Sequence, residues 1–341
     1  MKVLLVDVDS KIPNIALGKI STYHKERKDE VVFVRLGFKG HYHRKERFKT
    51  INAKGFDKVY VSNIFVKNQN LFKIVNCDKV LIGGVGSINM KKKLPKKIDS
   101  LNIDYSLWPD NDRSYGFITR GCIRKCKFCF VPKTEGNLYK YNNIKNIVKH
   151  DKVCFMDNNI LAYDKHLEIL QELVDMKIEC QFNQGLDIRL ITHENAKLLS
   201  KLRYLSKRTF AFDDIKYKPV IEKKIKIVKK YIPSNWIIRF FIYCNANMPI
   251  QDTITRLKWC RDNKCLPYLM TDENCSKSNN KEFYSSIRNY CNFAVYFCGK
   301  TYEEYVKLKT KNKKLRREFV AMWNGEIENI NKPKVQKEWW K

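Results

Sequence analysis

Short apolar runs separated by amphipathic stretches dominate the chain, and this alternation predicts strands connected by helices. In the first third, strands are predicted at 2–8, 31–34, 58–61 and 79–82, with a helix from about Asn14. The first run, Lys-Val-Leu-Leu-Val-Asp-Val, is apolar without alternation, as in a parallel strand that is buried on both faces. Residues 1 to about 105 therefore predict an open, doubly wound α/β sheet.

The alternation resumes after residues 91–112, whose charges and prolines are typical of a linker. About six strand–helix steps then follow, which is too few for a closed eight-fold barrel. Strands are predicted at 115–119, 152–156, 178–182, 208–212, 236–244 and 265–270, helices at 165–176 and 250–263, and a short last strand at 294–297. A helical stretch at 302–323 follows, so the predicted domains are 1–105, 106–300 and a basic C-terminal extension, 301–341.

Three cysteines lie just after the first strand of this second series. Cys122, Cys126 and Cys129 are separated by three residues and then by two, and Phe128 precedes the last of them. Thiolates this close require a loop around a common point, and a polynuclear iron site that leaves one iron without a protein ligand is the natural occupant. The alternatives are a zinc site or three unrelated buried thiols, although no second cysteine pair at zinc spacing is obvious nearby.

This spacing resembles the cluster motif of the radical S-adenosylmethionine (SAM) superfamily. The resemblance implies a [4Fe–4S] cluster on the three cysteines, SAM bound at the open iron beside Phe128, and reductive cleavage of SAM to a 5'-deoxyadenosyl radical. It also implies a Rossmann-like N-terminal domain of the cobalamin-binding kind, followed by a partial (β/α)6 barrel. An electron donor such as flavodoxin or ferredoxin is then an expected partner, and oxygen sensitivity is expected.

The ends of the next two predicted strands carry polar residues that the resemblance assigns to SAM. Asp157, Asn158 and Asn159 stand where most of the superfamily has a Gly-Gly-Glu type turn that holds the SAM ammonium group. The alternative is an ordinary Asx turn after a strand.

A second polar group follows the third strand of the series. Gln184, Asp187 and Arg189 are candidates for contacts with the SAM carboxylate and ribose, because a guanidinium group matches a carboxylate as a bidentate fork. The alternative is a surface salt bridge between Asp187 and Arg189. Asp213, after the fourth strand, completes the set of cofactor-binding candidates.

Cobalamin is a second cofactor that the resemblance brings into question. Ser62, Ile64 and the Gly83-Gly84 pair resemble later parts of the cobalamin-binding signature. The Asp-x-His-x-x-Gly stretch, whose histidine ligates cobalt, has no counterpart, since the residues after the first strand read Asp7-Val-Asp-Ser-Lys-Ile-Pro-Asn14. The glycines are therefore interpreted as a turn, with cobalamin kept as an alternative.

Charge and cysteine content bear on partners and compartment. The chain has 67 Lys and Arg against 36 Asp and Glu, a net charge of +31, which would attract polyanions such as nucleic acid, with basic segments at 39–49 and 307–317. An AT-rich codon bias explains the lysines equally well. Twelve cysteines in a chain of this length favour reduced thiols and metal binding, and no signal peptide or membrane span is recognised, so a cytoplasmic protein without a membrane partner is expected.

Three functions remain open from these observations. The first is a radical SAM enzyme that modifies nucleic acid or a nucleotide, and the second is a radical SAM enzyme that acts on a peptide or a small metabolite. The third is an iron–sulfur sensor that binds nucleic acid without using SAM. An auxiliary cluster is not expected, because the downstream cysteines match no compact ligand motif and are interpreted as small buried thiols: Cys260, Cys265, Cys275, Cys291 and Cys298.

Overall fold

The computed structural model describes residues 1–37, 48–87 and 93–327. These residues form a mixed α/β protein with parallel sheets, which confirms the predicted class. The chain divides into two compact units. Unit 1 consists of residues 1–117, 124–136 and 142–153, and unit 2 consists of 118–123, 137–141 and the described residues from 154 onward. The predicted domain boundaries at 105 and 300 stay predictions.

Unit 1 is built on a four-stranded parallel sheet, and all four of its strands were predicted. Across the sheet they are β2 (Glu30–Arg35), β1 (Lys2–Asp7), β4 (Lys58–Ser62) and β6 (Val80–Gly83). Leu4 of β1 is in register with Val32 of β2 and with Val59 of β4, so the first strand lies inside the sheet. Helix α1 (Ile15–Glu26) connects β1 to β2, and the Asn14 side chain caps it by accepting from the Leu17 N–H.

The two faces of this sheet are covered by different kinds of element. Helix α1 and the short helix α2 (Lys96–Asp99) cover one face, around a buried apolar cluster that includes Leu5, Leu17 and Ile98. The other face packs against strands β3 (Lys49–Asn52) and β5 (Phe72–Val75), which form a separate parallel pair. This differs from the predicted double winding, which would place helices on both faces. The reason is local composition, since Thr50-Ile51 and Phe72-Lys-Ile-Val75 favour strands.

The rest of unit 1 consists of short elements: β7 (Ser114–Gly116), α3 (Val131–Thr134) and α4 (Ile144–Ile147). Strand β7 is shorter than the predicted 115–119. Its first residue, Ser114, contacts the last segment of unit 1. The Ser114 hydroxyl accepts hydrogen bonds from the Lys149 and His150 N–H groups at 2.7 and 3.0 Å.

Unit 2 continues with alternating strands and helices. Its strands are β8 (Thr119–Arg120), β9 (Tyr139–Lys140), β10 (Lys152–Phe155, of which the first two residues belong to unit 1), β11 (Glu179–Phe182), β12 (Arg203–Tyr204), β13 (Arg208–Ala211), β14 (Ile238–Cys244) and β15 (Leu266–Thr271). Its helices are α5 (His166–Met176), α6 (His193–Lys201), α7 (Lys218–Tyr231), α8 (Ile250–Asp262), α9 (Glu273–Lys277), α10 (Lys281–Asn292), α11 (Ala294–Gly299), α12 (Tyr302–Lys309) and α13 (Lys313–Asn324).

The longer strands of unit 2 belong to two sheets. One sheet contains the neighbouring strands β12, β11 and β10, and the other has the order β13-β14-β15 with both pairs parallel. Leu186, which follows β11, makes an isolated parallel bridge to Phe210 of β13. Strands β13, β14 and β15 run in the same direction, and predicted site residues follow the carboxyl ends of β11 and β13.

Two predictions near the C-terminus differ from the structure. The predicted strand at 294–297 is wrong, because Ala294–Gly299 is helix α11; a short apolar run does not distinguish a strand from a buried helix. The helical stretch at 302–323 is two helices, and Asn312 caps the second by accepting from Leu315 N–H. Of the basic segment 39–49, only Phe48 and Lys49 lie within the described residues.

Candidate functional site

The candidate site of unit 2 lies where polar residues follow the carboxyl ends of its parallel strands. Asp157–Asn159 follow β10, Asn183–Arg189 follow β11, and Asp213 follows β13. In α/β folds the carboxyl ends of parallel strands are where ligands are bound. The predicted cofactor residues of unit 2 therefore share the edge at which binding is expected.

Asp157 is buried, with 2% of its surface exposed, and it binds the backbone of the segment that leads to the first cysteine. Its Oδ1 accepts from the Thr119 hydroxyl at 2.7 Å and from the Ile118 N–H at 3.1 Å, and the Thr119 N–H also donates to it. Burial raises the pKa of Asp157 to about 6, and these hydrogen bonds offset only part of the rise. The carboxylate thus holds the start of β8, a contact that the sequence did not predict.

Asn159 connects the first cysteine of the motif to the second polar group. Its Nδ2 lies 3.7 Å from the Cys122 Sγ and 3.4 Å from the Asp187 Oδ2. Asn159 is 2% exposed, and its Oδ1 has no hydrogen-bond partner although it is buried. A buried carbonyl oxygen without a donor costs about 1–3 kcal/mol, so Asn159 marks a point at which the described residues do not satisfy a buried polar group.

Asp187 and Arg189 form the ion pair that the sequence raised as an alternative, but the pair is not on the surface. The Arg189 Nε and Nη2 donate to the two Asp187 carboxylate oxygens at 2.6 and 2.9 Å. Only 8% of the Asp187 side chain and 18% of the Arg189 side chain are exposed. The guanidinium also lies over the Tyr217 ring, 4.2 Å from its centroid. Arg189 is therefore held in one orientation by two contacts.

Asp213 is half-buried beside a buried cation that the sequence did not single out. Its Oδ1 accepts from the Tyr243 N–H at 3.0 Å, and burial raises its pKa to about 6. The nearby Arg256 is fully buried and donates to the carbonyl oxygens of Phe212 and Tyr243 at 2.9 and 3.0 Å. Arg256 thereby ties α8 to the ends of β13 and β14, and its charge moderates the rise in the Asp213 pKa.

A signal for Arg256 does exist in the sequence. The residue lies on the face of α8 that also carries Thr253, Leu257 and Cys260, all buried. A single arginine on an otherwise apolar helix face predicts a buried polar contact, because an unpaired buried charge is costly.

Two other predicted residues are less enclosed. Gln184 is exposed, next to Gly185, whose φ of +77° gives the turn a left-handed conformation that favours glycine. Asn158 is half-buried. The structure thus brings Cys122, Asn159, Asp187 and Arg189 into one chain of contacts. The roles in SAM binding that were predicted for these residues, and for Gln184 and Asn158, stay predictions.

The cysteine motif is divided between the two compact units. Cys122 belongs to unit 2 and is half-buried, and it follows Gly121, whose φ is +77°. In unit 1, the Cys129 N–H donates to the Cys126 carbonyl at 3.0 Å, so these two half-buried residues lie on one turn. Phe128 in this turn is 41% exposed.

Among residues 1–37, 48–87 and 93–327, no three His, Cys, Asp or Glu side chains are grouped as around a metal ion. The prediction of a metal site on the three motif cysteines accordingly rests on their spacing. Hydrogen bonds to the sulfur ligands help to set the reduction potential of an iron–sulfur cluster. The Asn159 amide beside the Cys122 sulfur would supply such a hydrogen bond.

All twelve cysteines lie in the described part of the chain, outside any disulfide. Of the five downstream cysteines, Cys260, Cys265, Cys275 and Cys291 are buried, as predicted, and Cys298 is half-buried. Burial raises the thiol pKa of Cys260, Cys265 and Cys291. Cys260 and Cys291 are core side chains of helices α8 and α10, and Cys265 lies just before β15.

In unit 1, Gly84 of the glycine pair proposed as a turn packs against the backbone of Asn63. Gly84 has a φ of +97°, and a Cβ there would lie 2.2 Å from the Asn63 carbonyl oxygen. The Asn63 N–H donates to the Gly83 carbonyl at 2.9 Å, and its Nδ2 donates to the Gly86 carbonyl at 2.8 Å. The close approach that these glycines allow is therefore made to the loop after β4.

The residues after β1 do not fit a cobalamin. No histidine occurs between Asp7 and Asn14, and this edge of the sheet is filled by buried side chains: Asn14 donates to the Ser10 and Ser62 hydroxyls at 2.9 and 2.8 Å. Asp9, also buried, accepts from the Ile64 and Phe65 N–H groups. The residues that follow β1 therefore supply no imidazole ligand for cobalt.

Comparisons with models of known protein families and with curated proteins find no match to this chain. In the part of the chain that the structure describes, no helix combines the length and the apolar character needed to cross a membrane.

Proposed function

We propose that this chain is a radical SAM enzyme, with a Rossmann-like N-terminal domain and a partial (β/α)6 barrel. The ligands of its [4Fe–4S] cluster would be Cys122, Cys126 and Cys129. The protein would be cytoplasmic. Its cluster would receive electrons from a donor protein such as flavodoxin or ferredoxin. The spacing of the three cysteines supports this proposal.

The observation that carries the proposal is the contact between Asn159 and Cys122. One side-chain amide reaches both the sulfur of the first motif cysteine and the carboxylate of Asp187, which lies on the other strand end predicted to bind SAM. An iron–sulfur sensor that does not use SAM has no need of these polar strand ends. Their connection to the motif therefore favours the enzyme over the sensor.

The residues of the candidate site would have distinct roles. When bound, the cluster supplies an electron that cleaves SAM to methionine and a 5'-deoxyadenosyl radical. The buried Asn159 Oδ1 is an acceptor for an ammonium group, and its Nδ2 donates to the Cys122 sulfur. The Arg189 guanidinium is oriented by Asp187 and Tyr217. Asp157 fixes the backbone before the cysteine loop.

The substrate class that we favour is nucleic acid or a nucleotide, because the chain carries a net charge of +31. The second candidate is a peptide or small metabolite, with the positive charge being only compositional. Direct association with nucleic acid, and its dependence on salt, separates these two classes.

The activity is tested by anaerobic reconstitution with iron and sulfide, followed by SAM and dithionite. The wild-type protein is expected to bind iron, to show thiolate-to-iron absorption, and to release 5'-deoxyadenosine. Cys126→Ala is expected to lose both the cluster and the product, because two cysteines cannot hold the cluster of the motif.

Cys77→Ala is the matched control, since Cys77 is another half-buried thiol of unit 1 but lies outside the motif. It should retain cluster and product. A wild-type protein that assembles a cluster but forms no 5'-deoxyadenosine would support the sensor instead. A Cys126→Ala protein that retains full iron content would refute the ligand assignment.

A further inference from the structure

A groove of about 490 Å³ lies between helices α7 and α8 of unit 2. Lysines line it from both helices: Lys218 and Lys226 on α7 and Lys258 on α8. Its sides also carry Glu222 and Asp262, so the lining lysines outnumber the lining carboxylates by three to two.

Helix α7 itself contains six lysines and a single glutamate. Three of the lysines already have partners in unit 2. Lys224 and Lys229 donate to the Ile191 and Asn263 carbonyls at 2.6 and 2.5 Å, and Lys218 lies 3.5 Å from a Glu222 carboxylate oxygen. These three lysines stabilise the fold.

The other three lysines form a stripe on the exposed side of α7. Lys223, Lys226 and Lys230 are spaced three and four residues apart, which places them on one face of the helix. Within the described residues, no carboxylate lies within the 4.0 Å of a salt bridge from any of their amino groups. Like charges at this spacing destabilise a helix by about 0.2–0.5 kcal/mol for each pair.

Two other exposed lysines of unit 2 have a carboxylate partner. Lys277 and Lys307 each pair with a glutamate four residues earlier, at 2.7 and 2.9 Å. The stripe is therefore a place in unit 2 where an external anion would meet three exposed lysines that form no salt bridge within the described residues.

We propose that the α7 stripe and the adjoining groove bind the phosphodiester backbone of a nucleic acid. The inference rests on the proposed function, whose substrate class it makes specific. Lys223 and Lys230 are separated by about 10 Å along the helix axis, so one small anion cannot neutralise both. A backbone with regularly repeated phosphates can contact the stripe and also reach Lys258 across the groove.

The groove lies beside the candidate site. Lys218, which lines the groove, directly follows Tyr217, and the Arg189 guanidinium lies over the Tyr217 ring. From Arg189 the contacts continue through Asp187 and Asn159 to Cys122. A backbone bound in the groove would thus be close to the strand ends proposed to hold SAM.

The test is the salt dependence of binding to a structured RNA and to duplex DNA, measured on the full chain between 50 and 200 mM salt. The variant is K223Q/K226Q/K230Q, in which glutamine keeps the helix propensity. Loss of three phosphate contacts is expected to reduce the slope of log K against log salt by about 2.7 for duplex and about 2.1 for a single strand. Raising the salt from 50 to 200 mM should therefore weaken binding by the variant about 20–40-fold less than binding by the wild type.

The matched control is K277Q/K281Q/K307Q, which removes the same charge from exposed lysines of unit 2 that face glutamates. Its slope should change by less than about one. Equal losses in both variants, or an unchanged slope in the stripe variant, would overturn the inference. Competition by polyglutamate as strong as by RNA would assign the stripe to an acidic protein and also refute it.

This outcome is separable from that of the radical chemistry. The stripe variant should release 5'-deoxyadenosine like the wild type in the absence of nucleic acid. If the wild type releases none but the stripe variant still loses its salt dependence, the radical SAM function fails and the nucleic-acid surface stands.

Discussion

At the scale of single residues, two buried side chains at the end of β10 have opposite hydrogen-bond balances. Asp157 is a carboxylate that receives several donors from Ile118 and Thr119. Asn159, two residues later, has a carbonyl oxygen that receives none. The fold supplies hydrogen-bond donors to the first side chain, whereas it leaves the carbonyl oxygen of the second without a donor.

The raised pKa of Asp157 makes the stability of the protein depend on pH. Burial raises this pKa from 3.8 to about 6, so the folded state holds the proton more tightly than the unfolded state does. The contribution of Asp157 to stability is therefore greatest below about pH 4 and falls as the pH rises to about 6. The full effect is about 3 kcal/mol.

Asp157→Asn is expected to remove this dependence. At pH 4 the variant should be less stable by about 1 kcal/mol, since an amide accepts fewer hydrogen bonds than a carboxyl group. At pH 7 it should equal or exceed the wild type, because the wild-type carboxylate is then buried and charged. Urea unfolding at pH 4, 5, 6 and 7 measures the difference. Asp164→Asn, at an exposed position of unit 2, is the control, and its free energy of unfolding should depend on pH as that of the wild type does. The same pH dependence in Asp157→Asn would contradict the expectation.

The sequence predicted part of this site and missed another part for physical reasons. Cys122, Asn159, Asp187 and Arg189 were grouped because residues after parallel strands meet at one edge, and they do lie in contact. The binding of Asp157 to the β8 backbone was not foreseen, because side-chain direction within a turn leaves no periodic signal. Tyr217 was also missed, since its contact with Arg189 joins residues far apart in sequence.

At the scale of elements, the apolar runs predicted the positions of the strands better than the elements that pack on the faces of the sheet. A continuous run such as Val3–Val6 indicates a strand buried on both faces, but it does not say whether helices or strands do the burying. In unit 1 one face is covered by helices and the other by the β3–β5 pair. That choice depends on residues distant in sequence, which local periodicity does not reveal.

The glycine turn after β6 gives an element-scale prediction. Gly84→Ala should destabilise the protein by about 2–4 kcal/mol, because the new Cβ both adopts a left-handed φ and meets the Asn63 carbonyl oxygen. Thermal or urea unfolding of the full chain provides the measurement.

Two other glycines separate the two causes. Gly55 has a φ of +85° with nothing within 4 Å of the added Cβ, so Gly55→Ala should cost only about 1 kcal/mol. Gly83 also has open space and needs no left-handed φ, so Gly83→Ala should change stability by less than about 0.5 kcal/mol. Equal effects of Gly84→Ala and Gly55→Ala would show that the Asn63 contact is unimportant.

At the scale of the whole molecule, net charge and the cysteine motif together define the substrate question. A charge of +31 draws the protein to any polyanion, but attraction alone does not make a polyanion the substrate. The reacting atoms must be identified from the chemical change that the protein produces.

Cells that produce the wild-type protein are expected to contain a nucleoside of altered mass, which is absent from cells producing Cys126→Ala. Mass spectrometry of nucleosides from digested RNA and DNA, with a parallel search of peptides and small metabolites, makes this comparison. An altered peptide or metabolite without an altered nucleoside would favour the second substrate class. The Cys77→Ala protein should give the wild-type pattern.

The parallel register of β1 also has a consequence for how the chain is made. Leu4 can pair with its neighbouring strands only after Val32 and Val59 have been synthesised, 28 and 55 residues later. At about 5–20 residues per second, a ribosome takes several seconds to supply these partners. During that time the nascent apolar segment Val3–Val6 has no sheet to join, and the flanking Lys2 and Asp7 are the charges that oppose its aggregation. Early synthesis is therefore a period in which this apolar segment lacks the strands that bury it.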